Sequence, residues 1–165
     1  MERNQSILVI PNGIVSKVDV GRLLREVNAL HDFMHQASIR EPGTSIKLPR
    51  TSKLLDETIT INKLNMLVTE DRDKLYMFLK AIHAEAPVMH VSFGADPSPL
   101  FTARLLAWLR QEIHPLVLLQ IGLQLNLGAG CVVRTTNRQF DFSLRERFKD
   151  NRSLLLSKIS EVVNE

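Results

Sequence analysis

The feature that most constrains the fold is a change of hydrophobic periodicity near Val88. Before this residue, apolar residues recur at helical spacing over most of the chain. After it, short apolar runs, glycine turns and helical segments follow one another. Because helices repeat about every 3.6 residues and strands every two, the two parts must be built differently. The sequence predicts an α+β protein, with an N-terminal helical segment followed by a small C-terminal domain.

The clearest helix in the N-terminal part carries an apolar seam. The helix is predicted to begin near Asp19, and successive members of the seam are three or four residues apart. The seam consists of Val20, Leu23, Val27, Leu30, Met34 and Ala37. Two interpretations are open. The seam is either the core of this chain's own helices or a surface on which Val20, Leu23, Val27, Leu30 and Met34 bind a long partner helix.

Turn residues divide the rest of the N-terminal part. Residues 1–50 form a first segment, with a strand-like start at residues 7–10, the seam helix, and a loop at residues 42–50 that is rich in proline and glycine. Prolines disfavour helix in the residue before them, so the seam helix is expected to end at this loop.

A helical segment is predicted over residues 51–87. Apolar spacing indicates one helix at about residues 52–68 and a second at about residues 70–85. Thr69 stands where a side-chain hydroxyl can cap the second helix, and acidic residues fill its first turn.

Residues 88–165 are predicted to form a β-α-β-β-α domain. Its sheet is expected to have about three strands, drawn from residues 88–93, residues 116–123 and a hairpin within residues 131–142. Gly128 and Gly130 predict a tight turn before the hairpin. Because a strand rather than a helix follows these glycines, they favour close backbone packing over phosphate binding.

The polar motifs in the sequence are interpreted as structural. Ser143 is expected to cap the last helix, with Asp141 supporting the same turn or pairing with Arg145. His31 and His35 have the spacing of two zinc ligands on a helix, but the sequence supplies no clear third ligand. We therefore assign no catalytic, cofactor-binding or metal-binding residue.

Composition and charge narrow the possible partners. Lys and Arg number 12 against 11 acids in residues 1–90, and 9 against 7 in residues 91–165, so neither part predicts nucleic-acid binding. The lone Cys131 excludes an intrachain disulfide. The most apolar stretch, residues 116–133, contains polar residues and glycines and predicts buried strand rather than a membrane span. With no secretory signal visible, we expect a soluble protein.

A group of basic residues near the hairpin and the last helix has two interpretations. It is either a solvated face of mixed charge or a docking surface for an acidic partner helix. Its members are Arg134, Arg138, Arg145, Arg147, Lys149 and Arg152.

Taken in order, these motifs resemble the C-terminal domain of the delta subunit of rotary ATP synthases, whose mitochondrial counterpart is the oligomycin-sensitivity-conferring protein. The resemblance covers about residues 88–156. It rests on His90–Phe93, a helix ending at Ile113, Leu116–Gln124, Leu127–Arg134 and Phe140–Arg145. Ala129 and Phe142 stand where that family commonly has glycine. The N-terminal part is too short for the six-helix bundle with which the family usually begins.

The resemblance implies a peripheral-stalk subunit, or stator, of a proton-translocating ATP synthase. Such a subunit has no enzymatic activity, cofactor or small-molecule substrate. It binds the stalk helices and the catalytic head, and lies in the cytoplasm at the inner face of the cell membrane, held there by its partners. The alternatives are a free-standing adaptor domain of similar fold, including stator relatives in vacuolar-type ATPases and flagellar export, and an enzyme or nucleic-acid module on this scaffold.

Overall fold

The computed structural model describes residues 8–39 and 49–163, and the chain divides into two compact units. The first unit, here the helical unit, contains the chain up to Pro87 together with Ala103–Leu118. The second, here the sheet unit, contains Val88–Thr102 and the chain from Leu119 onward. The predicted α+β class is confirmed. The two segments that the sequence separated at residue 50 belong to the same unit.

The helical unit is built around a long first helix. This helix, α1, spans Lys17–Ile39 and begins where the carboxylate of Asp19 accepts a 2.9 Å hydrogen bond from the backbone N–H of Ser16. It packs along α3, Thr69–Glu85, which buries Leu75, Leu79 and Ile82. The apolar faces of these two helices supply much of the core of this unit.

A short helix, α2, precedes α3 and ends earlier than predicted. It spans Lys53–Asn62 and is capped by Ser52, whose hydroxyl accepts a 3.2 Å hydrogen bond from the N–H of Leu55. Lys63 has a left-handed backbone (φ 52°) and its N–H donates back to helix carbonyls, which stops the helix. The predicted continuation to residue 68 is therefore wrong.

The predicted cap at Thr69 is also wrong. Val68 occupies the N-cap position of α3 and makes no side-chain capping bond. The Thr69 hydroxyl instead accepts a 3.0 Å hydrogen bond from the guanidinium of Arg72.

The strand-like start of the chain is not a strand over its described residues, 8–10. Asn62 replaces a strand partner: its side chain accepts a 2.7 Å hydrogen bond from the N–H of Val9 and donates a 2.9 Å bond to the carbonyl of Val9. Arg110 holds the following turn by donating to the carbonyls of Pro11 at 3.0 Å and Ile14 at 2.5 Å. Most of the predicted loop at 42–50 lies outside the described residues.

The sheet has four strands in the described residues rather than the predicted three, because the hairpin supplies two strands in addition to the two that precede it in the chain. The strands are β1 Val88–Phe93, β2 Leu118–Leu123, β3 Cys131–Arg134 and β4 Gln139–Asp141. Their order in the sheet is β2-β1-β3-β4. Strand β1 pairs antiparallel with β3, with Val91 opposite Val133, and β3 pairs antiparallel with β4, with Val133 opposite Phe140.

One helix connects β1 to β2 along the chain. This helix, α4, spans Pro99–Glu112. The helix begins after Ser98, whose hydroxyl accepts a 3.3 Å hydrogen bond from the N–H of Phe101. Pro99 occupies the first helical position, where the N–H that proline lacks is not needed.

Two helices, rather than the single predicted one, follow β4 in the described residues. They are α5, Arg145–Asp150, and α6, Arg152–Val163. The break lies at Asn151, whose side-chain amide donates a 2.9 Å hydrogen bond to the carbonyl of Arg147. No helix within residues 8–39 and 49–163 is long and apolar enough to cross a membrane.

Candidate interaction surface

The seam of α1 lies in the core of the helical unit. Val20 and Leu23 are 0% exposed, Val27 is 1% and Leu30 is 3% exposed, whereas Met34 is half-buried near the end of the helix. Because α3 packs along this helix within the same unit, a partner helix would have to displace α3 to reach the seam. Of the two interpretations of the seam, its burial favours the core.

The glycine turn shapes the backbone at the end of β2. After a short 3₁₀ turn at Leu125–Leu127, Gly128 has φ 68° and Gly130 has φ 89°. Side chains rarely adopt such backbone angles. A Cβ on Gly130 would also overlap the carbonyl oxygen of Phe142 and lie 2.8 Å from the Cα of Ser143. The predicted role of this glycine in close backbone packing is confirmed.

Two backbone hydrogen bonds connect the glycine turn to the residues after β4. The N–H of Phe142 donates to the carbonyl of Cys131 at 2.9 Å, and the N–H of Leu144 donates to the carbonyl of Ala129 at 3.0 Å. The fold therefore brings together two motifs that the sequence analysis treated separately, the glycine turn and the Asp141–Ser143 turn.

Asp141 supports the turn that follows the sheet. Its carboxylate accepts a 2.8 Å hydrogen bond from the backbone N–H of Ser143. Hydrogen bonds from the side chain and backbone of Ser143 lower the pKa of Asp141, and the positive charge of Arg145 lowers it further. This agrees with the structural interpretation of Asp141. The predicted capping by Ser143 is wrong, because Leu144 is the N-cap of α5 and no side chain caps that helix.

An exposed apolar surface follows this turn. We call it the C-terminal surface and define it by four apolar residues on and just before α5 and α6. They are Leu144, Phe148, Leu155 and Ile159, which are 37%, 51%, 47% and 53% exposed. Leu154 and Leu156, also about half exposed or more, widen it on α6. Every side chain described on α6 is exposed.

The rim of the C-terminal surface is more basic than acidic. Arg145, Arg147 and Lys149 lie on α5, and Arg152 and Lys158 lie on α6, all of them exposed. Lys158 donates a 2.8 Å hydrogen bond to the carboxylate of its neighbour Glu161. The sequence analysis identified the basic residues but missed the exposure of the apolar ones, whose helical spacing alone does not distinguish a core face from a free one.

Two exposed phenylalanines lie next to this surface. Phe140 and Phe142 are 43% and 61% exposed, and their rings stack with centroids 6.2 Å apart. Phe142 projects a large apolar group at a position where the resemblance leads us to expect glycine. The pair extends the exposed apolar area from the end of β4 toward α5.

The candidate reactive residues do not converge in the described part of the chain. His31 lies 3.8 Å from a carboxylate oxygen of Asp73, and no group of three or more potential metal ligands occurs among the described residues. Cys131 is partly buried in β3. Burial and the negative charge of Asp141 raise the pKa of its thiol, which favours the unreactive protonated form.

No family model matches this chain, and no curated protein matches its sequence. Because a fold alone does not determine a function, the C-terminal surface is the feature from which function is inferred.

Proposed function

We propose that this chain is a non-catalytic stator subunit of a proton-translocating rotary ATP synthase. In this role it binds the end of a long stalk helix through the C-terminal surface. It thereby links the catalytic head to the membrane sector and holds the head against the torque of the rotor. The observation that carries the proposal is the exposed apolar surface on α5 and α6, joined to a rigid turn with the motif order of the resemblance.

The composition of the C-terminal surface favours a helical partner. Apolar side chains at Leu155 and Ile159 are four residues apart, so they lie on one face of α6. An amphipathic partner helix would cover them with its own apolar face, and acidic residues on its flanks would pair with Arg152 and Lys149. Exposed apolar area of this kind marks interaction sites in soluble domains.

The turns beneath this surface suit a part that transmits force. Gly130 lets the backbones of the glycine turn and of residues 142–143 approach closely, and Asp141 fixes the next turn by hydrogen bonds to Ser143. A substitution that loosened these turns would let α5 move relative to the sheet. Rigid support of a docking site is what a subunit that resists torque requires.

This role places the chain in the cytoplasm, at the inner face of the cell membrane and attached through its partners. The N-terminal helical unit would then contact the catalytic head. That contact would use its exposed faces, because the seam of α1 is occupied by α3.

Co-purification tests the proposal. The tagged full chain, expressed in its own cells, is expected to recover synthase head and stalk subunits from detergent-solubilised membranes. Leu155→Asp combined with Ile159→Asp should abolish this recovery, because two charges would be buried under the partner helix. Ser153→Asp combined with Ser157→Asp adds the same two charges at exposed polar positions of α6 and should retain the recovery.

Two results would contradict the proposal. One is wild-type chain that recovers no synthase subunit from membranes in which the synthase is intact. The other is a folded double variant that recovers as much stalk subunit as the wild type does. Recovery of unrelated proteins in place of the synthase would support the adaptor alternative.

A further inference from the structure

A small cavity lies between α1 and α3 in the helical unit. Its volume is about 210 Å³, below the size of most sites for drug-sized ligands and large enough for a small ion with its water. It is lined by Val27, Asn28, His31, Arg72, Asp73 and Tyr76. Most of these side chains are polar, which is unusual for a contact between two helices that otherwise bury apolar faces.

Arg72 is the unusual member of this group. The residue is only 5% exposed, although arginine is rarely buried without a charged partner. Its guanidinium donates to the carbonyl of Met66 at 2.7 Å and to the Thr69 hydroxyl at 3.0 Å, both neutral acceptors. Its Nε–H is buried and has no acceptor within the described ranges. Leaving a buried donor unpaired is unfavourable, and more so when the group is charged.

No carboxylate within the described ranges forms an ion pair with Arg72. The ion pairs found there join His31 to Asp73, Lys74 to Asp71 and Lys158 to Glu161. Asp73 lines the same cavity, and its carboxylate lies 3.8 Å from the imidazole of His31; the side chains of Asp73 and His31 are 62% and 42% exposed. The cavity therefore combines an opening to solvent with a buried cation that has no ion-pair partner among the described residues.

Further side chains that carry hydrogen-bond donors line this cavity. Asn28 contributes a side-chain amide, Tyr76 a hydroxyl and His31 an imidazole. Together with the guanidinium of Arg72 they offer the donor set that proteins use for carboxylate and phosphate groups.

From this arrangement we infer that the cavity binds a small oxyanion, with Arg72 as its charged anchor. The oxyanion is a phosphate or carboxylate group. It accepts from the guanidinium of Arg72 and, on the outer side of the cavity, from Asn28 and Tyr76. Binding joins α1 to α3 and stabilises the helical unit. This site does not depend on the stator role, and nothing in it requires the C-terminal surface.

Nuclear magnetic resonance of the full-length chain tests the inference. The ¹⁵N-labelled protein is titrated with sodium phosphate and, separately, with sodium acetate, at fixed pH and at an ionic strength held constant with sodium chloride. The Nε–H resonance of Arg72, assigned from its loss in Arg72→Met, is expected to shift saturably with at least one anion. The same anion should raise the thermal midpoint. A response to phosphate alone or to acetate alone identifies the preferred oxyanion.

Variants separate a specific site from a general salt effect. Arg72→Met should weaken the anion-dependent rise in thermal midpoint at least about tenfold in anion concentration, since a charge-assisted hydrogen bond is lost. Arg22→Met, an exposed arginine on α1, should leave the rise unchanged. If Arg72→Met does not fold, Asn28→Asp serves instead, because a negative charge at this exposed position of the cavity should weaken binding by a similar factor.

Three results would overturn the inference. The first is a resonance of Arg72 that neither anion shifts, which would mean that water alone occupies the cavity. The second is an equal thermal response to sodium chloride at the same ionic strength. The third is an unchanged anion response in folded Arg72→Met or Asn28→Asp.

Discussion

Helices α1 and α6 carry similar apolar patterns, but α1 buries its apolar residues within the helical unit whereas α6 exposes them. In α1, Val20 and Leu23 are 0% exposed, whereas in α6 Leu155 and Ile159 are 47% and 53% exposed. Both helices present apolar residues at helical spacing. The difference is that α3 packs along α1, whereas every side chain described on α6 is exposed.

This contrast shows what helical periodicity specifies. Spacing of three and four residues places apolar side chains on one face of a helix, but the element that covers the face is decided elsewhere in the chain. In the helical unit the cover is intramolecular, so the seam stabilises the fold. In the sheet unit the apolar residues of α6 are exposed, and under the proposed function the same kind of pattern would serve recognition.

The largest expected difference between the two helices is in the stability cost of a charge placed on the apolar face of each. Leu23→Asp should abolish cooperative folding of the helical unit, because burying an unpaired carboxylate costs several kcal/mol, a large part of a domain's total stability. Leu155→Asp should change the free energy of unfolding by less than about 0.5 kcal/mol, as expected for an exposed site. Chemical denaturation followed by circular dichroism measures both. Equal losses in the two variants would remove the distinction between core and interface.

Substitution of one glycine in each unit should change the free energy of unfolding in opposite directions. Gly130→Ala should lower the free energy of unfolding by about 2 kcal/mol or more, because its φ is 89° and the new Cβ would meet backbone atoms of residues 142–143. Gly21→Ala in α1 should instead raise it by about 0.5–1 kcal/mol, since the nearest atom to its Cβ is 3.7 Å away, on His83, and alanine is the better helix former. A tolerated Gly130→Ala would show that the turn under α5 is not tightly packed.

The smallest expected effect concerns the pH dependence of the Asp141 turn. Hydrogen bonds from Ser143 lower the pKa of Asp141 in the folded chain, so its ionised form stabilises the fold above the unfolded pKa. This stabilisation is lost as pH falls through the lower, folded pKa. The thermal midpoint of Asp141→Asn should therefore lie slightly below that of the wild type near neutral pH, and the gap should close in acid. A gap independent of pH would mean that the charge of Asp141 does not contribute.

Local sequence signals predicted most elements of the fold. The seam of α1 and the glycine turn each have a cause within a few residues, and each was found where expected. Some of the wrong predictions depend on contacts distant in the chain, and others on a local backbone conformation that the residue types do not indicate. Asn62 takes the place of a strand partner for Val9, and a left-handed Lys63 ends α2 early.

The candidate surface was harder to predict for the same reason. The sequence analysis identified the basic residues near α5 and α6, but the exposure of the apolar residues Phe148, Leu155 and Ile159 depends on which other elements lie near these helices. Likewise, nothing in the residues flanking Arg72 indicates that its side chain is buried against α1 with an unpaired Nε–H. Such features are properties of packing and not of a local motif.

Site-specific photo-crosslinking tests the central claim, that the C-terminal surface binds a stalk helix, most directly. A photoreactive residue is placed at Ile159 on the exposed face of α6 or, as the control, at Leu23 in the covered seam of α1, and membranes are irradiated before solubilisation. We predict that position 159 crosslinks to a stalk subunit of the ATP synthase and position 23 only within the chain. Binding of a stalk helix at the C-terminal surface would be excluded if position 159 formed no crosslink to that subunit while the synthase remained intact. A crosslink from position 23 to the stalk subunit would exclude it as well.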